Sequence, residues 1–328
     1  MLRSADECWA ITDEAAGNQR QALALAGALG LPVRHLVLEP RPPWSWFAPR
    51  LLVGGRLALP AAQRELFAPP WPRVAVGCGR AAALFTRLLR PLSGGACHTV
   101  QILDPRIDPA HWDTVIAPRH DGLQGANVLT PLGSLHPIDE AWLADARLAF
   151  HEFGELPQPR VGVLLGGPRK GIALNPAYGE ALIRHLLADQ AAHGGSVLVT
   201  ASRRTPPALF NVVRDALRDI PGLCWGSTRD GPNPYPGILG WADRLVVTPD
   251  SVNMLSEASA VGCPVGTLVL APLPAKIARF HRNLREAGLL GEIGDDIREG
   301  HEPLRETAAL ARVIAGQMSR HGPAGAPA

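Results

Sequence analysis

The chain has 328 residues, of which 46% are hydrophobic and 19% are charged, and its formal net charge is only +2. This length suits two globular domains, and the apolar fraction excludes a disordered chain. Because no cluster of basic residues interleaved with aromatic residues occurs, the sequence also excludes a dedicated nucleic-acid surface.

The predicted elements form two series in which strands and helices alternate. The first series opens with a strand at 8–12, a polar loop at 13–18 and a helix at 19–29. After a Pro/Gly-containing segment at 151–160, the pattern restarts with a strand at 161–165. Such alternation predicts parallel sheets with crossover helices. Further strands are predicted at 33–38, 73–76, 98–103, 114–117, 127–129, 196–200, 223–225, 244–248 and 264–268, and further helices at 81–89, 139–150, 176–193, 207–218 and 251–261.

The domain organisation follows from these two series. We predict an α/β protein of two doubly wound Rossmann-like domains facing a cleft, joined at the Pro/Gly segment. The first domain would span 1–150 and hold the acceptor, and the second would span 160–300 and bind a nucleotide-sugar. A last helix at 302–318 is expected to pack back on the first domain, followed by a frayed tail from His321.

The cysteines and the N-terminus bear on the cellular compartment. Five cysteines are scattered without a CxxC pair, so we expect reduced thiols and neither zinc nor a disulfide. The N-terminal residues include acids where a signal peptide needs an apolar run, and no stretch reaches the about 20 apolar residues of a spanning helix. We therefore expect a cytoplasmic protein whose membrane contact, if it has any, is peripheral and on the inner face of the cytoplasmic membrane.

The segment 245–265 carries the most informative site pattern. Asp250 or Ser251 is suited to cap the helix that follows a buried strand. The free N–H groups and the dipole of a helix N-terminus favour a phosphate. Asn253 and Glu257 share one helix face, so Glu257 is placed to accept hydrogen bonds from ribose hydroxyls. An ordinary capped helix is the alternative, but an acid and an amide on the ligand side favour a binding site.

Three other strand-end loops in the second half add anion-binding groups. Paired glycines and a lysine lie at 166–170, two arginines with hydroxyls at 202–205, and an Asn-Pro-Tyr sequence at 233–235. Only Lys170 and Lys276 are lysines among the 32 cationic residues, a bias that either chance or a functional ammonium explains. Each loop alone would be a solvated turn, but their adjacent placement predicts a shared phosphate site. The candidate donor-binding residues are Gly166, Gly167, Lys170, Ser202, Arg203, Arg204, Asn233, Tyr235, Asp250, Ser251, Asn253 and Glu257.

Candidate catalytic residues lie in the first half. Asp13 follows the first strand, and His120 with Asp121 follow another strand. A carboxylate or imidazole that faces a sugar donor is what deprotonation of an acceptor hydroxyl requires. A turn or cap role for Asp13, and substrate positioning by His120, are the alternatives. No Asp-x-Asp follows a strand, and Asp295-Asp296 falls in a late loop, so we expect no metal or other cofactor. Arginine, lysine and the helix dipole would instead stabilise the charge of the leaving diphosphate.

The segment 41–60 departs from the strand–helix alternation. It places Trp44, Trp46, Phe47 and two arginines among prolines. Aromatic and arginine side chains together suit a membrane interface or a lipid-acceptor surface. From the sequence we slightly prefer the simpler interpretation, in which a Pro-rich loop packs its tryptophans on the domain.

Several stretches, taken together in order, resemble the family of bacterial proteins related to the plant elongated-mitochondria fission protein. They are ITDEAAGNQRQALALAGALG, VQILDPR, PRHDG, LLGGPRK, TASRRTPP, NPYPGILGWADRLVVTPDSVNMLSEA and KIARFHRNL. The resemblance implies a GT-B-like fold, and it implies a distant similarity to inverting glycosyltransferases that act on lipid-linked acceptors. Members of the family have been labelled predicted nucleoside-diphosphate-sugar epimerases, and the plant members are discussed as adaptors.

Three hypotheses about function follow. The first is an inverting, metal-independent glycosyltransferase that takes its sugar from a nucleoside-diphosphate-sugar and passes it to an envelope lipid or glycan acceptor, with Asp13 as the base. The second is a nucleoside-diphosphate-sugar epimerase of the same fold. The third is a non-catalytic adaptor that uses the fold as a binding surface next to a membrane. Fold-level analogy alone does not choose among them.

Overall fold

The computed structural model describes residues 6–294 and 302–320. The loop predicted around Asp295 and Asp296 and the tail predicted to fray from His321 lie outside these residues. The described residues divide into two compact units, one of residues 6–137 with 306–320 and one of residues 138–294 with 302–305. Over the described residues, no helix is long and apolar enough to cross a membrane.

The first unit contains a six-stranded, wholly parallel sheet in the order β2-β1-β3-β4-β5-β6. Its strands are β1 (Cys8–Thr12), β2 (Val33–Val37), β3 (Val74–Cys78), β4 (His98–Ile102), β5 (Thr114–Ile116) and β6 (Val128–Leu129). Its helices before the chain crosses to the second unit are α1 (Ala16–Ala28), α2 (Trp44–Phe47) and α3 (Arg80–Leu92).

Alternate side chains of the first unit's strands enter two separate apolar clusters. Cys8 and Ala10 of β1 pack with α1 on one face of the sheet, whereas Trp9 and Ile11 pack with α3 on the other face. Both faces are covered, as a parallel sheet requires, and for this reason β1 and β3 are buried along their whole length.

The second unit repeats this plan with a parallel sheet in the order β12-β11-β10-β7-β8-β9. Its strands are β7 (Arg160–Leu165), β8 (Ser196–Ala201), β9 (Gly222–Trp225), β10 (Arg244–Val247), β11 (Val265–Thr267) and β12 (Gly291–Glu292). Its helices are α4 (Glu140–Ala149), α5 (Pro176–His193), α6 (Pro207–Ala216), α7 (Tyr235–Trp241), α8 (Val252–Ser259) and α9 (Ala275–Glu286). The strand order reverses between β7 and β10, and ligands of doubly wound sheets bind beyond the strand ends at such a point.

The boundaries of the units differ from the predicted domain ends for an identifiable reason. Residues 138–150, which the sequence places in the first domain, group with the second unit because α4 packs on α7. The indole N–H of Trp241 donates to the Arg147 carbonyl, and the Arg147 guanidinium donates to the Gly240 carbonyl. The acceptor and donor roles of the two domains stay predictions.

The last helix, α10 (Thr307–Arg320), belongs to the first unit. Ala311 and Ile314 enter the same apolar cluster as α1, and the Thr114 hydroxyl donates to Gln317 at 2.6 Å. Just before the helix, the Glu306 carboxylate accepts the backbone N–H of Leu132 at 2.9 Å. These contacts fix the C-terminal segment on the sheet of the first unit.

Candidate functional site

The turn after β10 is organised around the carboxylate of Asp250, which is fully buried. Its Oδ1 accepts the Thr248 hydroxyl at 2.7 Å, and its Oδ2 accepts the Gly167 N–H at 3.1 Å and Arg204 Nη2 at 3.0 Å. Thr248, Gly167 and Arg204 follow β10, β7 and β8, respectively. One carboxylate therefore joins the loops at the carboxyl ends of three neighbouring strands.

The two residues that follow β7 are glycines, and the neighbouring loops come too close to them to leave room for a Cβ. A Cβ on Gly166 would lie 2.0 Å from Asp250 Oδ1, and a Cβ on Gly167 would lie 2.3 Å from the Arg204 carbonyl oxygen. The N–H of Gly166 donates to the Thr248 hydroxyl at 2.8 Å. The sequence led us to expect these N–H groups to face a bound anion, but both donate within the protein, and the anion next to Gly167 is the Asp250 carboxylate.

The loops joined at Asp250 carry four cationic residues. The Arg204 side chain remains 54% exposed although it is bound to Asp250. Arg169 Nη1 donates to the Asp250 carbonyl at 2.9 Å, and both Lys170 and Arg203 are exposed. Arg169 and Arg204 therefore contact Asp250 directly, and Lys170 and Arg203 are exposed elsewhere in the same two loops. Ser202 shapes the same loop, since its hydroxyl accepts the Arg204 N–H at 3.3 Å and lies 3.0 Å from the Thr205 hydroxyl.

Helix α8 begins at this turn, and Ser251 is its N-cap. The Ser251 hydroxyl accepts the Met254 N–H at 3.3 Å, and Asn253 lies in the first turn of the helix. One turn later Glu257 is almost fully buried and accepts a hydrogen bond from the Tyr235 hydroxyl. The N–H of Tyr235 in turn donates to Asn233 Oδ1 at 3.1 Å. Asn233, Tyr235 and Glu257, predicted from separate stretches, are therefore connected to one another.

Sequence reasoning missed His281, which holds the same turn through a hydrogen bond from helix α9. It is fully buried on α9, and its Nε2–H donates to the Pro249 carbonyl at 2.9 Å. Burial lowers the pKa of His281 to about 4, with a small further lowering by Arg285 that the hydrogen bond to Pro249 opposes. The imidazole is thus neutral near pH 7. Its position on the apolar face of α9, four residues after Ile277, is the signal that could have found it.

In the first unit, Asp13 lies just beyond the end of β1. Both of its carboxylate oxygens are 3.0 Å from Asn18 Nδ2, and Oδ1 also accepts the Ala15 N–H at 3.0 Å. Burial, and to a smaller extent the Asp13 charge, raises the pKa of the neighbouring Cys78 thiol well above its usual range. Asp13 therefore shapes the turn before α1 and has a fixed orientation. Its role as a base stays a prediction.

The other predicted catalytic pair lies beyond the end of β5. His120 Nε2 and Asp121 Oδ1 are 3.4 Å apart, and the two side chains are only 3% and 2% exposed. The structure brings this pair together but encloses it, and its catalytic role stays a prediction. All five cysteines lie within the described residues, and none of them forms a disulfide. Within residues 6–294 and 302–320 no group of three or more His, Cys, Asp or Glu side chains could hold a metal ion.

Sequence comparison places the chain in a family. The family model described as mitochondrial fission ELM1 matches residues 16–318. The chain belongs to this family. It is 33% identical over 291 residues to the mitochondrial fission protein ELM1 of Arabidopsis thaliana, covering 79% of this chain and 67% of that protein. It is 23% identical over 301 residues to the uncharacterized protein RP120 of Rickettsia prowazekii, covering 78% and 81%.

Comparison with solved structures identifies the fold. The UDP-GlcNAc 2-epimerase of Methanocaldococcus jannaschii is 10% identical with a TM-score of 0.53, over 94% of this chain and 98% of that one. Os79 of O. sativa, in complex with U2F and trichothecene, is 13% identical with a TM-score of 0.55, over 96% and 94%. The UDP-GlcNAc 2-epimerase of Neisseria meningitidis, bound to UDP-GlcNAc, is 11% identical with a TM-score of 0.51, over 95% and 94%. The predicted GT-B-like α/β fold of two Rossmann-like domains and the predicted family are both confirmed.

Proposed function

We propose that the second unit binds a nucleoside-diphosphate-sugar and that the protein transfers its sugar to an acceptor hydroxyl. The observation that carries this proposal is the meeting of three strand-end loops at Asp250, which leaves cations exposed beside the N-terminus of α8. A diphosphate is the ligand that such a site favours. UDP and UDP-GlcNAc in structures of similar fold agree with a donor of this class.

The proposed donor site separates supporting residues from contacting residues. Gly166, Gly167 and Asp250 form the support, because they are buried and hydrogen-bonded to protein groups. Contact with the diphosphate falls to side chains that reach solvent and to the start of α8. These contacting residues are Lys170, Ser202, Arg203, Arg204, Ser251 and Asn253.

The nucleoside would lie toward Tyr235 and Glu257. Because the Tyr235 hydroxyl already donates to the Glu257 carboxylate, a ribose hydroxyl would have to replace that donor. Asn233, which accepts the Tyr235 N–H, would hold the loop that contacts the base.

The proposed reaction is inverting and needs no metal. Exposed arginine and lysine side chains would stabilise the charge that develops on the leaving diphosphate. Asp13 would remove the proton of the acceptor hydroxyl, and Asn18 would keep the carboxylate oriented for that step. The acceptor would be an envelope lipid or a glycan precursor.

Donor binding is tested first by thermal shift with UDP, GDP, ADP and dTDP and their hexose and N-acetylhexosamine conjugates. A compound that binds only the folded protein must raise its melting temperature. Lys170→Ala and Arg203→Ala should each weaken the best ligand about tenfold, since one charged contact is lost. Arg218→Ala is the matched control, because Arg218 is an exposed arginine of the same unit outside these loops. If none of these ligands stabilises the parent protein, or if the control weakens binding equally, the donor site is not where we place it.

Transfer is tested with Asp13→Asn. The amide keeps an oxygen for the Ala15 N–H but removes the basic carboxylate, so donor binding should persist while turnover falls by about 100-fold or more. An Asp13 variant that turns over like the parent would refute the role of Asp13 as the base.

Two alternatives have specific support. Similar folds in two UDP-GlcNAc 2-epimerases favour an epimerase, which would change the donor sugar without any acceptor. The family to which the chain belongs favours an adaptor, which would leave every donor unchanged. Incubation of the protein with the best ligand of the thermal-shift panel, followed by analysis of the sugar with and without acceptor extracts, separates the three.

A further inference from the structure

A loop in the first unit exposes large apolar side chains while its ends are held together. We call residues 41–58 the aromatic loop; it is closed by a hydrogen bond from the Arg41 N–H to the Ala58 carbonyl at 2.8 Å. Trp46 is 68% exposed, Phe47 55%, Val53 84% and Leu57 51%. The sequence slightly favoured tryptophans packed on the domain, but Trp46 and Phe47 are directed to solvent and only Trp44 packs.

The aromatic loop is fixed in this form by specific contacts. The Trp44 indole N–H donates to the Val53 carbonyl at 2.9 Å, joining its two halves. From α3, Arg87 Nη1 donates to the Pro49 carbonyl at 2.7 Å, and Arg80 donates to the Ser45 and Trp46 carbonyls. Because these anchors restrain the backbone beside the exposed rings, insertion of the rings into another phase would lose little backbone entropy.

The charged residues of the aromatic loop are all positive. The loop carries Arg41, Arg50 and Arg56, all exposed, and no acidic residue occurs between Glu39 and Glu65. Exposed aromatic and aliphatic side chains in a segment whose only charged residues are arginines complement an anionic lipid interface, where rings enter the headgroup region and guanidinium groups meet lipid phosphates.

The position of the aromatic loop in the fold relates it to the proposed chemistry. The loop follows β2, whose last residue, Val37, pairs with Thr12 at the end of β1. Asp13 comes directly after Thr12. The aromatic loop and the proposed base, Asp13, therefore both follow the carboxyl ends of neighbouring strands in the sheet of the first unit.

We propose that the aromatic loop docks this protein on the surface of an anionic bilayer, with Trp46 and Phe47 inserted at the interface. Docking itself needs no nucleotide, and only its purpose, access to a lipid-linked acceptor, rests on the function proposed above. Two side chains supply most of the apolar insertion and three arginines supply the attraction to anionic lipid. Binding should therefore depend on both lipid charge and the two rings.

Co-sedimentation with vesicles tests this proposal. The parent protein should bind vesicles of phosphatidylcholine mixed with phosphatidylglycerol and not vesicles of phosphatidylcholine alone. The double variant Trp46→Ala/Phe47→Ala should lose at least about tenfold in partitioning. Leu148→Ala is the control, because Leu148 is 77% exposed in the second unit and lies outside the aromatic loop. Unchanged far-UV circular dichroism and melting temperature show that the double variant is folded.

A second measurement reports insertion directly. Brominated acyl chains should quench part of the tryptophan fluorescence of the parent protein, and Trp46→Phe should remove most of that quenching while vesicle binding persists. Failure of the parent to bind anionic vesicles, or equal binding by the double variant, overturns the proposal. Binding to a protein partner through these residues, without lipid, overturns it also. Thermal shift with nucleotides should be unaffected by the double variant, so failure of docking and failure of donor binding are distinguishable.

Discussion

Replacement of His281 tests how the turn after β10 is supported. The imidazole Nε2–H holds the Pro249 carbonyl, and among the described residues the buried Nδ1 has no hydrogen-bond partner. Protonation would place a charge at Nδ1 in an apolar site, and for this reason the pKa falls from 6.5 to about 4. Because the folded pKa of His281 lies below its unfolded value, its contribution to the unfolding free energy is fully present above pH 6.5. That contribution is lost as the pH falls from 6.5 through 4.

The magnitude follows from that difference in pKa. The fall of the pKa from 6.5 to about 4 corresponds to about 3 kcal/mol of unfolding free energy once the pH is well below 4. At pH 4.5 the folded protein is only partly protonated at this site, and about 2 kcal/mol has been lost relative to pH 7. That loss is a large fraction of the stability of an ordinary domain.

His281→Gln separates this contribution from the rest of acid unfolding. Glutamine offers an N–H to the Pro249 carbonyl but does not titrate, whereas carboxylates elsewhere titrate equally in both proteins. The variant should be less stable than the parent at pH 7, and its deficit should shrink by about 2 kcal/mol at pH 4.5 in urea unfolding. The matched control is His185→Gln, which replaces an exposed histidine of the same unit. A deficit for His281→Gln that stays constant between the two pH values would refute the reasoning.

Two further predictions concern the support of the proposed donor site. Asp250→Asn removes the charge that holds Arg204 while keeping an acceptor for the Gly167 N–H, and it should cost about 2 kcal/mol in urea unfolding. A stability equal to the parent's would show that the pair contributes little. Gly167→Ala should cost about 1–3 kcal/mol because its Cβ would meet the Arg204 carbonyl oxygen at 2.3 Å. Gly27→Ala, in the last turn of α1 with nothing within 4 Å, should raise the melting temperature slightly.

The fold could be predicted from the sequence wherever pattern and turn residues agree. The strand Cys8–Thr12 and the helix Pro176–His193 were predicted with the bounds that the structure has. In both, a short apolar run or an Ala/Leu-rich run ends at a polar or glycine-containing turn, so local preference and burial point the same way. The parallel arrangement followed because each strand is separated from the next by a crossover segment.

Helices α7 and α9 escaped prediction for different physical reasons. The sequence does not predict helix α7, since its prolines and glycines disfavour a helix; burial of Ile238 and Leu239 and the contacts with α4 override that preference. Helix α9 was left unassigned, although Ile277, Phe280, His281 and Leu284 recur at helical spacing on its buried face. Without α9, the role of His281 in supporting the turn could not be inferred.

At the candidate site the sequence identified the loops but not which of their groups face a ligand. Asp250, Arg204 and Lys170 are all charged residues at strand ends. Residues buried as structural partners and residues that contact a ligand are of the same types, so the sequence does not distinguish them. Burial separates them: Asp250 is fully enclosed, whereas Arg204 is bound to it and still 54% exposed. A buried carboxylate that fixes one side of a guanidinium leaves the other N–H groups oriented toward solvent before any anion arrives. The internal acid is therefore compatible with a diphosphate site and strengthens it, because it lowers the cost of ordering the arginine that would bind the ligand.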